Sequence, residues 1–239
     1  NKLFAANHQG QTKWWFEAQP NDSYSGKIAL SANSLFAATS KGHLYKFDKN
    51  NGHLDWLLET NKKILFSPLL YKNFVYLISA QDDQFFLSKV NGHDGQLQWI
   101  RKLLGFTAPS QATISEKNQL LLITDPNGSL LCLDLNNGNA YWQKKKLGEV
   151  STPATVVGEV AYVGTSDAKL YAIHLKKKED LWVYELTSGA TSPITHIPGY
   201  NHVAVLTQSG YLHIVDATTG EGQWRYNTYT KAKVNTLFA

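Results

Sequence analysis

Six tryptophans recur at a nearly constant spacing, and this repeat constrains the fold more than any other feature of the chain. They are Trp14, Trp56, Trp99, Trp142, Trp182 and Trp224, separated by 42, 43, 43, 40 and 42 residues. Four residues before them stand Gly10, Gly52, Gly95, Gly138, Lys178 and Gly220. Eight residues before the last five stand Asp48, Asn91, Asp134, His174 and Asp216, and twelve before stand Leu44, Leu87, Leu130, Leu170 and Leu212. A period of about 40 to 45 residues indicates stacked copies of one supersecondary unit.

Each full repeat contains four strand-like segments. The second repeat predicts strands over 27–31, 34–39, 43–48 and 54–58, and the fifth over 151–157, 160–165, 169–174 and 180–184. Turns rich in Asp, Asn, Ser and Gly separate these segments, as antiparallel hairpins require, and no helical periodicity competes. The pattern therefore predicts an all-β fold, a β-propeller of four-stranded antiparallel blades that forms a single domain over 1–239.

Each end of the chain supplies only part of a repeat. Residues 2–18 provide the third and fourth strands of a first unit, and Val234 to Phe238 has the pattern of a first strand. If the two ends pair, the propeller has about six blades, one of them split and incomplete. If they do not pair, the chain is a fragment of a seven- to eight-bladed ring, and the sequence leaves both alternatives open.

The repeated residues are expected to have structural roles. A glycine in the turn before the fourth strand permits positive φ, and an aspartate caps such a turn through its side chain. A tryptophan on the fourth strand presents a large apolar surface to the neighbouring blade. We therefore predict that the six repeated tryptophans lock adjacent blades together. The predicted turn-setting residues are Gly10, Gly52, Gly95, Gly138, Gly220, Asp48, Asp134 and Asp216.

Composition excludes several classes of protein. No apolar run approaches the roughly 18 residues of a membrane-spanning helix, so no transmembrane segment is predicted. The net charge of +4 is modest, and the clusters Lys144 to Lys146 and Lys176 to Lys178 fall in different parts of their repeats. We expect both to be solvated surface and predict no nucleic-acid partner. The lone Cys132 lies in an apolar run and is expected to be a small buried hydrophobic residue.

Two stretches carry a family resemblance. "KLYAIHLKKKEDLW" (169–182) and "GYLHIVDATTGEGQW" (210–224) resemble the pyrroloquinoline-quinone-type (PQQ-like) propeller repeat, whereas no repeat ends in the Trp-Asp pair of WD repeats. The resemblance covers nearly the whole chain and implies a β-propeller. This family includes quinoprotein dehydrogenases, extracytoplasmic sensors and assembly scaffolds. Within this family, the chain is similar to the cofactor-free outer-membrane assembly lipoproteins. These resemble rings of eight blades, and this chain supplies about two blades fewer.

The residues do not favour quinone catalysis. A quinone enzyme needs a calcium ion held by oxygen ligands and a catalytic carboxylate, and enzymes of this family also commonly carry a disulfide between adjacent cysteines. The chain has one cysteine, and its repeated acids Asp48, Asp134 and Asp216 occupy equivalent positions in different repeats. The eight histidines show no zinc-like spacing. We therefore expect no catalytic residue, no cofactor and no metal site.

These observations lead to one functional hypothesis and three alternatives. The hypothesis is a non-enzymatic propeller scaffold that binds protein partners in the bacterial periplasm and assists assembly of outer-membrane β-barrel or other envelope proteins. An outer-membrane anchor would be supplied by a segment outside this sequence. The alternatives are a ligand-binding sensor propeller, a remnant of a quinoprotein dehydrogenase and an accessory propeller of a larger multidomain enzyme.

Overall fold

The computed structural model describes residues 1–150 and 152–228. The chain divides into two compact units, Asn1–Gly105 and Phe106–Ala239, and each is described by itself. Within the described residues the regular structure is β-strand apart from one short 3-10 turn at Pro198–Tyr200. The prediction that residues 1–239 form a single domain stays a prediction.

Three antiparallel sheets make up the first unit. The first sheet pairs two strands, the second is a meander of four, and the third has five because β7 and β8 both pair with β9. The strands are β1 (Lys2–Ala6), β2 (Thr12–Glu17), β3 (Ala29–Leu30), β4 (Ser34–Ala38), β5 (His43–Asp48), β6 (Leu54–Glu59), β7 (Lys63–Ile64), β8 (Leu69–Tyr71), β9 (Phe74–Gln81), β10 (Gln84–Asn91) and β11 (Leu97–Lys102).

The second unit also contains three antiparallel sheets, each a meander of four strands in sequence order. The fourth sheet is β12 (Thr113–Ser115), β13 (Leu120–Asp125), β14 (Ser129–Asp134) and β15 (Ala140–Lys144). The fifth is β16 (Thr155–Val157), β17 (Val160–Gly164), β18 (Lys169–His174) and β19 (Asp180–Glu185). The sixth is β20 (Thr195–Ile197), β21 (His202–Leu206), β22 (Tyr211–Asp216) and β23 (Gly222–Asn227).

The predicted all-β propeller class is confirmed by these repeated antiparallel sheets. Residues 2–18 form the expected strand pair β1–β2, and the later strands of the second and fifth repeats begin and end within about one residue of their predicted bounds. The first strands are shorter than predicted: β16 begins at Thr155 instead of 151. Pro153 lies in the missing part, and proline cannot donate the ladder hydrogen bond of a strand. The strand predicted at Val234 to Phe238 lies outside the described residues.

The hydrophobic core of each unit lies between consecutive sheets. In the first unit, Leu3 and Trp14 of the first sheet pack with Tyr45 and Phe47 of the second. In the second unit, one cluster joins the fourth and fifth sheets and another joins the fifth and sixth. A middle strand of a sheet that packs between two other sheets is covered on both faces, so its sequence is continuously apolar. Strand β13, in which every residue is buried, shows this most clearly.

Threonines connect the first strands of neighbouring sheets in the second unit. The hydroxyl of Thr113 donates to the carbonyl oxygen of Ala154, and that of Thr155 donates to the carbonyl oxygen of Ile194, each at 2.7 Å. Ala154 and Ile194 directly precede β16 and β20, so each bond joins the start of one first strand to the start of the next. The bonds therefore hold the fourth, fifth and sixth sheets in register along their first strands.

Candidate functional site

The tryptophans of the first unit contact the turn of the next sheet in the chain. A Cβ atom added at Gly52 would stand 2.5 Å from Cδ2 of Trp14, and one at Gly95 would stand 2.9 Å from Cδ2 of Trp56. The indole N–H of Trp14 donates to the carbonyl oxygen of Lys49, and that of Trp56 to the carbonyl oxygen of His93, both at 3.1 Å. Each indole therefore covers a glycine that has no side chain and satisfies one carbonyl of the same turn.

The same arrangement recurs in the second unit. Trp182 lies against Gly220, and its indole donates to the carbonyl oxygen of Ala217 at 3.3 Å. Trp142 is 9% exposed and donates to the carbonyl oxygen of Leu175. In the repeat that follows Trp142, the glycine position is occupied by Lys178, which adopts a left-handed φ of 61°.

Two of the six tryptophans differ from this description. Trp99 is half-buried, and its ring meets the ring of Tyr76 edge-on with 6.0 Å between centroids. Trp224 is 53% exposed. The physical reason is that the described residues contain no later sheet whose turn covers this indole. The predicted locking role of the six tryptophans stays a proposal.

The predicted turn residues lie where the repeat places them. Each Asp side chain accepts backbone N–H bonds from the second and third residues after it: at 2.8 and 3.2 Å for Asp48, 2.8 and 3.1 Å for Asp134, and 2.8 Å twice for Asp216. The bonds from Thr219 and Thr218 hold the pKa of Asp216 below its ordinary value. The glycines of these turns have φ of 78° (Gly10), 76° (Gly52), 76° (Gly95), 70° (Gly138) and 76° (Gly220).

The three repeated carboxylates thus act within their own turns. Among the residues that the structure describes, no group of three or more His, Cys, Asp or Glu side chains lies close enough to hold a metal ion. Cys132 is buried, and burial raises the pKa of its thiol to about 12. Within the same residues, no helix has the length and apolar character needed to cross a membrane.

A further repeated position, absent from the predicted site residues, lies five residues before the repeated leucines. Thr39, Asp125, Thr165 and Thr207 occupy it and are fully buried, whereas the third repeat has the exposed Asp82 there. The threonine hydroxyls accept the backbone N–H of the residue four positions later, at 3.1 to 3.3 Å. Asp125 accepts the N–H groups of Thr107 and Ala108 at 2.8 and 2.9 Å. Counting from the leucines in the sequence identifies this position.

Two buried polar clusters were also outside the prediction. Asp22 is 3% exposed, and its carboxylate lies 2.6 Å from Nδ1 of His43 and accepts the N–H groups of Ser23 and Lys41. Burial alone raises the pKa of Asp22, but its hydrogen bonds outweigh this effect and hold the pKa below the usual value. The polar loop before β3 is therefore tied to the turn between β4 and β5.

The second buried cluster surrounds His213. Its ring is 1% exposed, with Nε2 3.0 Å from the Thr187 hydroxyl and Nδ1 3.3 Å from the Tyr184 hydroxyl. Burial lowers the pKa of His213, and the positive charge of Arg225 lowers it further. Both contacts join β22 to the preceding sheet, so the neutral imidazole is part of the packing between the fifth and sixth sheets.

The lysine clusters are partly paired with acids. Lys144 forms an ion pair with Asp180, and Lys176 forms one with Glu159 at 3.3 Å. The remaining lysines of both clusters are exposed. Exposed pairs of this kind contribute only about 0–1 kcal/mol each, so their main effect is to reduce the local positive charge.

Large apolar side chains are exposed on the last strand of several sheets. Strand edges and apolar side chains on an outer strand are surfaces on which a protein partner can pack or add a strand. In the first unit these side chains are Trp15, Leu57, Leu97 and Ile100; in the second they are Tyr141, Leu181, Val183, Trp224 and Tyr226.

Both units contain a cavity lined by described residues. The cavity of the second unit has a volume of about 360 Å³ and is lined by residues of the first strands, among them Thr113, Ala154 and Thr155. The cavity of the first unit has a volume of about 260 Å³ and lies between the second and third sheets. Its lining consists of Ser31, Ser34, Phe36, Lys46, Leu70, Lys72, Asn73, Phe74, Val75, Gly92 and His93.

Comparison with protein families gives a match over nearly the whole chain. The family described as "Outer membrane protein assembly factor BamB" matches residues 3–116 and 106–238. Among curated relatives named outer membrane protein assembly factor BamB, that of Moranella endobia is 23% identical over 216 residues, which is 84% of this chain and 53% of the relative. That of Yersinia pestis is 20% identical over 182 residues, 69% of this chain and 44% of the relative. The chain thus spans about half the length of these relatives.

Solved structures show the same fold. BamB from Moraxella catarrhalis superposes with a TM-score of 0.72 at 17% identity, over 95% of this chain and 70% of that structure. The computationally designed Ika8 protein superposes with a TM-score of 0.75 at 17% identity, over 97% of this chain and 69% of that one. At this identity the similarity establishes the fold alone.

Proposed function

Because the chain belongs to the PQQ-like propeller family described as outer membrane protein assembly factor BamB, we propose that the protein assists the assembly of outer-membrane proteins in the bacterial envelope. The family match carries this proposal, since it covers nearly all of the sequence instead of a single repeat. The names of the curated relatives support the same role. The protein works in the periplasm, where an unfolded outer-membrane protein passes on its way to the membrane.

The mechanism is binding without chemistry. The buried contacts between successive sheets make each unit a rigid support, and the outer strands present exposed apolar side chains such as Leu97, Ile100, Leu181 and Val183. Partners in β-barrel assembly have apolar strands that pair through main-chain hydrogen bonds. An outer strand with a free edge and apolar side chains offers both kinds of contact.

Capture from envelope extract tests this proposal. The purified protein, immobilised and mixed with detergent-solubilised envelope, is expected to retain outer-membrane β-barrel proteins or components that assemble them. Two double variants, Leu97→Ser with Ile100→Ser and Leu181→Ser with Val183→Ser, separate the outer strands of the two units. At least one of them is expected to reduce capture. Failure of the unaltered protein to retain any such component would overturn the proposed function.

A further inference from the structure

The 260 Å³ cavity of the first unit, here called the Phe36 cavity after the side chain at its floor, is lined by none of the exposed apolar side chains of the outer strands. Its floor is apolar and is formed by Phe36 of β4, Leu70 of β8 and Val75 of β9. Its rim is polar and contains Lys72, Asn73 and other residues of the turns.

Two features of the packing border the cavity. Phe36, Lys46 and Trp56 are direct cross-strand neighbours on β4, β5 and β6, so their side chains form one row on the second sheet. Facing this row, the turn after β10 has Gly92, where an added Cβ would stand 3.5 Å from Cζ of Phe36 and 2.9 Å from the carbonyl oxygen of Asn73. A side chain at position 92 would crowd the Asn73 carbonyl, so the absence of a Cβ atom at Gly92 lets this turn approach Asn73 and Phe36 closely at one side of the cavity.

The positive charge at the rim of the cavity has no carboxylate among the lining residues to balance it. The ammonium group of Lys46, whose side chain is 12% exposed, is already paired with Asp55 behind the wall at 3.1 Å. The exposed Lys72 has its ammonium 5.2 Å from the ring of Tyr71 and forms no ion pair with the described residues. The side-chain amide of the exposed Asn73 likewise has no hydrogen-bond partner among the described residues. The rim therefore presents a cation and an amide donor beside an apolar floor.

We propose that the Phe36 cavity binds one apolar side chain of an acidic segment in a protein partner, with a neighbouring Asp or Glu carboxylate held by Lys72 and Asn73. Charge complementarity selects an acidic segment, because the rim supplies donors and positive charge without a lining carboxylate. The volume selects a single side chain, because pockets for drug-sized molecules measure about 300–1,000 Å³. This inference rests on the proposed function, since it assumes that the protein's ligands are polypeptides.

Three short peptides test the site with the whole chain. The probes are acetyl-Glu-Phe-Glu-amide, acetyl-Gln-Phe-Gln-amide and acetyl-Glu-Ala-Glu-amide, titrated into ¹⁵N-labelled protein. We expect the first to shift the amide signals of Asn73, Val75 and Gly92 at the lowest concentration. Loss of its charges is expected to weaken binding by about two- to fivefold per ion pair, the range of exposed pairs. Loss of the phenyl ring is expected to weaken binding by more than the loss of charge.

Variants of the protein provide a second test of the site. Lys72→Gln is expected to weaken the first peptide about two- to fivefold and to leave acetyl-Gln-Phe-Gln-amide unchanged. Ser34→Phe places a ring into the cavity from its rim and is expected to abolish binding of both Phe-containing peptides. Lys13→Gln, on β2 outside the cavity lining, removes the same charge and is the matched control, with no expected effect. If Ser34→Phe does not fold, Lys72→Gln and the comparison of the three peptides still test the proposed site.

The outcomes separate this site from the general function. Equal binding of all three peptides, shifts confined to residues outside the cavity, or equal effects of Lys72→Gln and Lys13→Gln would overturn the site. If this happens while the protein still captures outer-membrane components, the site is wrong and the proposed function stands. If the peptides bind as expected while no envelope component is captured, the site is supported, and its partner is not a component of outer-membrane assembly.

Discussion

Gly220 lies so close to the indole of Trp182 that a Cβ atom at position 220 would stand 2.5 Å from Cγ of the ring. The φ of Gly220 is 76°, in the left-handed region where residues other than glycine are strained. Two independent requirements therefore select glycine here: the backbone conformation and the close approach of the ring. The second requirement comes from the preceding sheet, so the turn and the sheet contact depend on the same residue.

Replacing Gly220 by alanine is expected to destabilise the second unit through both requirements. Left-handed φ costs a residue with Cβ about 1–2 kcal/mol. Displacement of the Trp182 ring adds about 1–3 kcal/mol, as for overpacked cores. Gly158→Ala is the control, because Gly158 has φ of 60° and nothing within 4 Å of an added Cβ. Urea unfolding should show the larger loss for Gly220→Ala, and equal losses would contradict the ring contact.

Lys178 provides the opposite test. It occupies the glycine position of its repeat with φ of 61°, and its N–H donates to the carbonyl oxygen of His174 as the N–H of Gly220 does to Asp216. Lys178→Gly relieves the backbone strain and is expected to stabilise the second unit by up to about 1 kcal/mol, after the entropy that glycine adds to the unfolded chain. Lys177→Gly, one residue earlier, should be destabilising. A loss of stability on Lys178→Gly would show that the lysine side chain contributes more than the backbone costs.

The tryptophans should differ in their contributions. Trp142 is 9% exposed and hydrogen-bonded, so Trp142→Ala is expected to reduce the free energy of unfolding by about 3–5 kcal/mol. Trp224 is 53% exposed, and Trp224→Ala should cost about 1 kcal/mol or less. Chemical denaturation of both variants measures the difference. Equal costs would mean that Trp224 contacts residues outside the described part of the chain.

The threonine bonds between first strands are expected to stabilise the second unit modestly. Thr155→Val removes the hydroxyl that donates to the Ile194 carbonyl, and should cost about 1–3 kcal/mol because that acceptor is left without its donor. Thr195, the equivalent residue of the sixth sheet, makes no side-chain hydrogen bond within the described residues. Thr195→Val is therefore the matched control and should have little effect on the thermal midpoint.

Stability should fall as pH falls, partly through His213. The pKa of this buried ring is lowered on folding, so below the ordinary histidine value of about 6.5 the unfolded chain binds more protons than the folded one. The contribution of His213 is thus present above pH about 6.5 and is lost progressively below it. Unfolding midpoints between pH 5 and 8 should depend less on pH in His213→Gln. The exposed His8→Gln should keep the pH dependence of the unaltered protein.

Much of the fold could be predicted because the same strand pattern recurs along the chain, so that a weak signal in one segment is supported by the equivalent segments of the other repeats. One strand-like segment of six residues is weak by itself, but the same pattern at five successive tryptophan spacings is not. Strands β5, β6, β18 and β19 accordingly begin where they were predicted. The additional strand β7 was missed, because Lys63–Ile64 is only two residues long and pairs with β9 through tertiary contact instead of a local hairpin.

The candidate site was less accessible to prediction. The buried position of Thr39, Asp125, Thr165 and Thr207 has a spacing that the sequence displays, but its hydroxyl and carboxylate side chains are also ordinary in turns. The Phe36 cavity is lined by residues from two consecutive sheets and their turns, and no sequence period encodes how closely these residues approach one another. The exposure of Trp224 likewise depends on what covers the last described sheet, which the repeat pattern alone does not specify.

The tryptophan–glycine contact also affects how chains of this kind can change in length. Trp14 with Gly52, Trp56 with Gly95 and Trp182 with Gly220 each join only consecutive repeats. A duplicated repeat inserted between two others would find a matching indole before it and a matching glycine turn after it. Because nearest-neighbour interfaces dominate such architectures, gene duplication or loss of a repeat can alter the number of sheets without requiring a new interface.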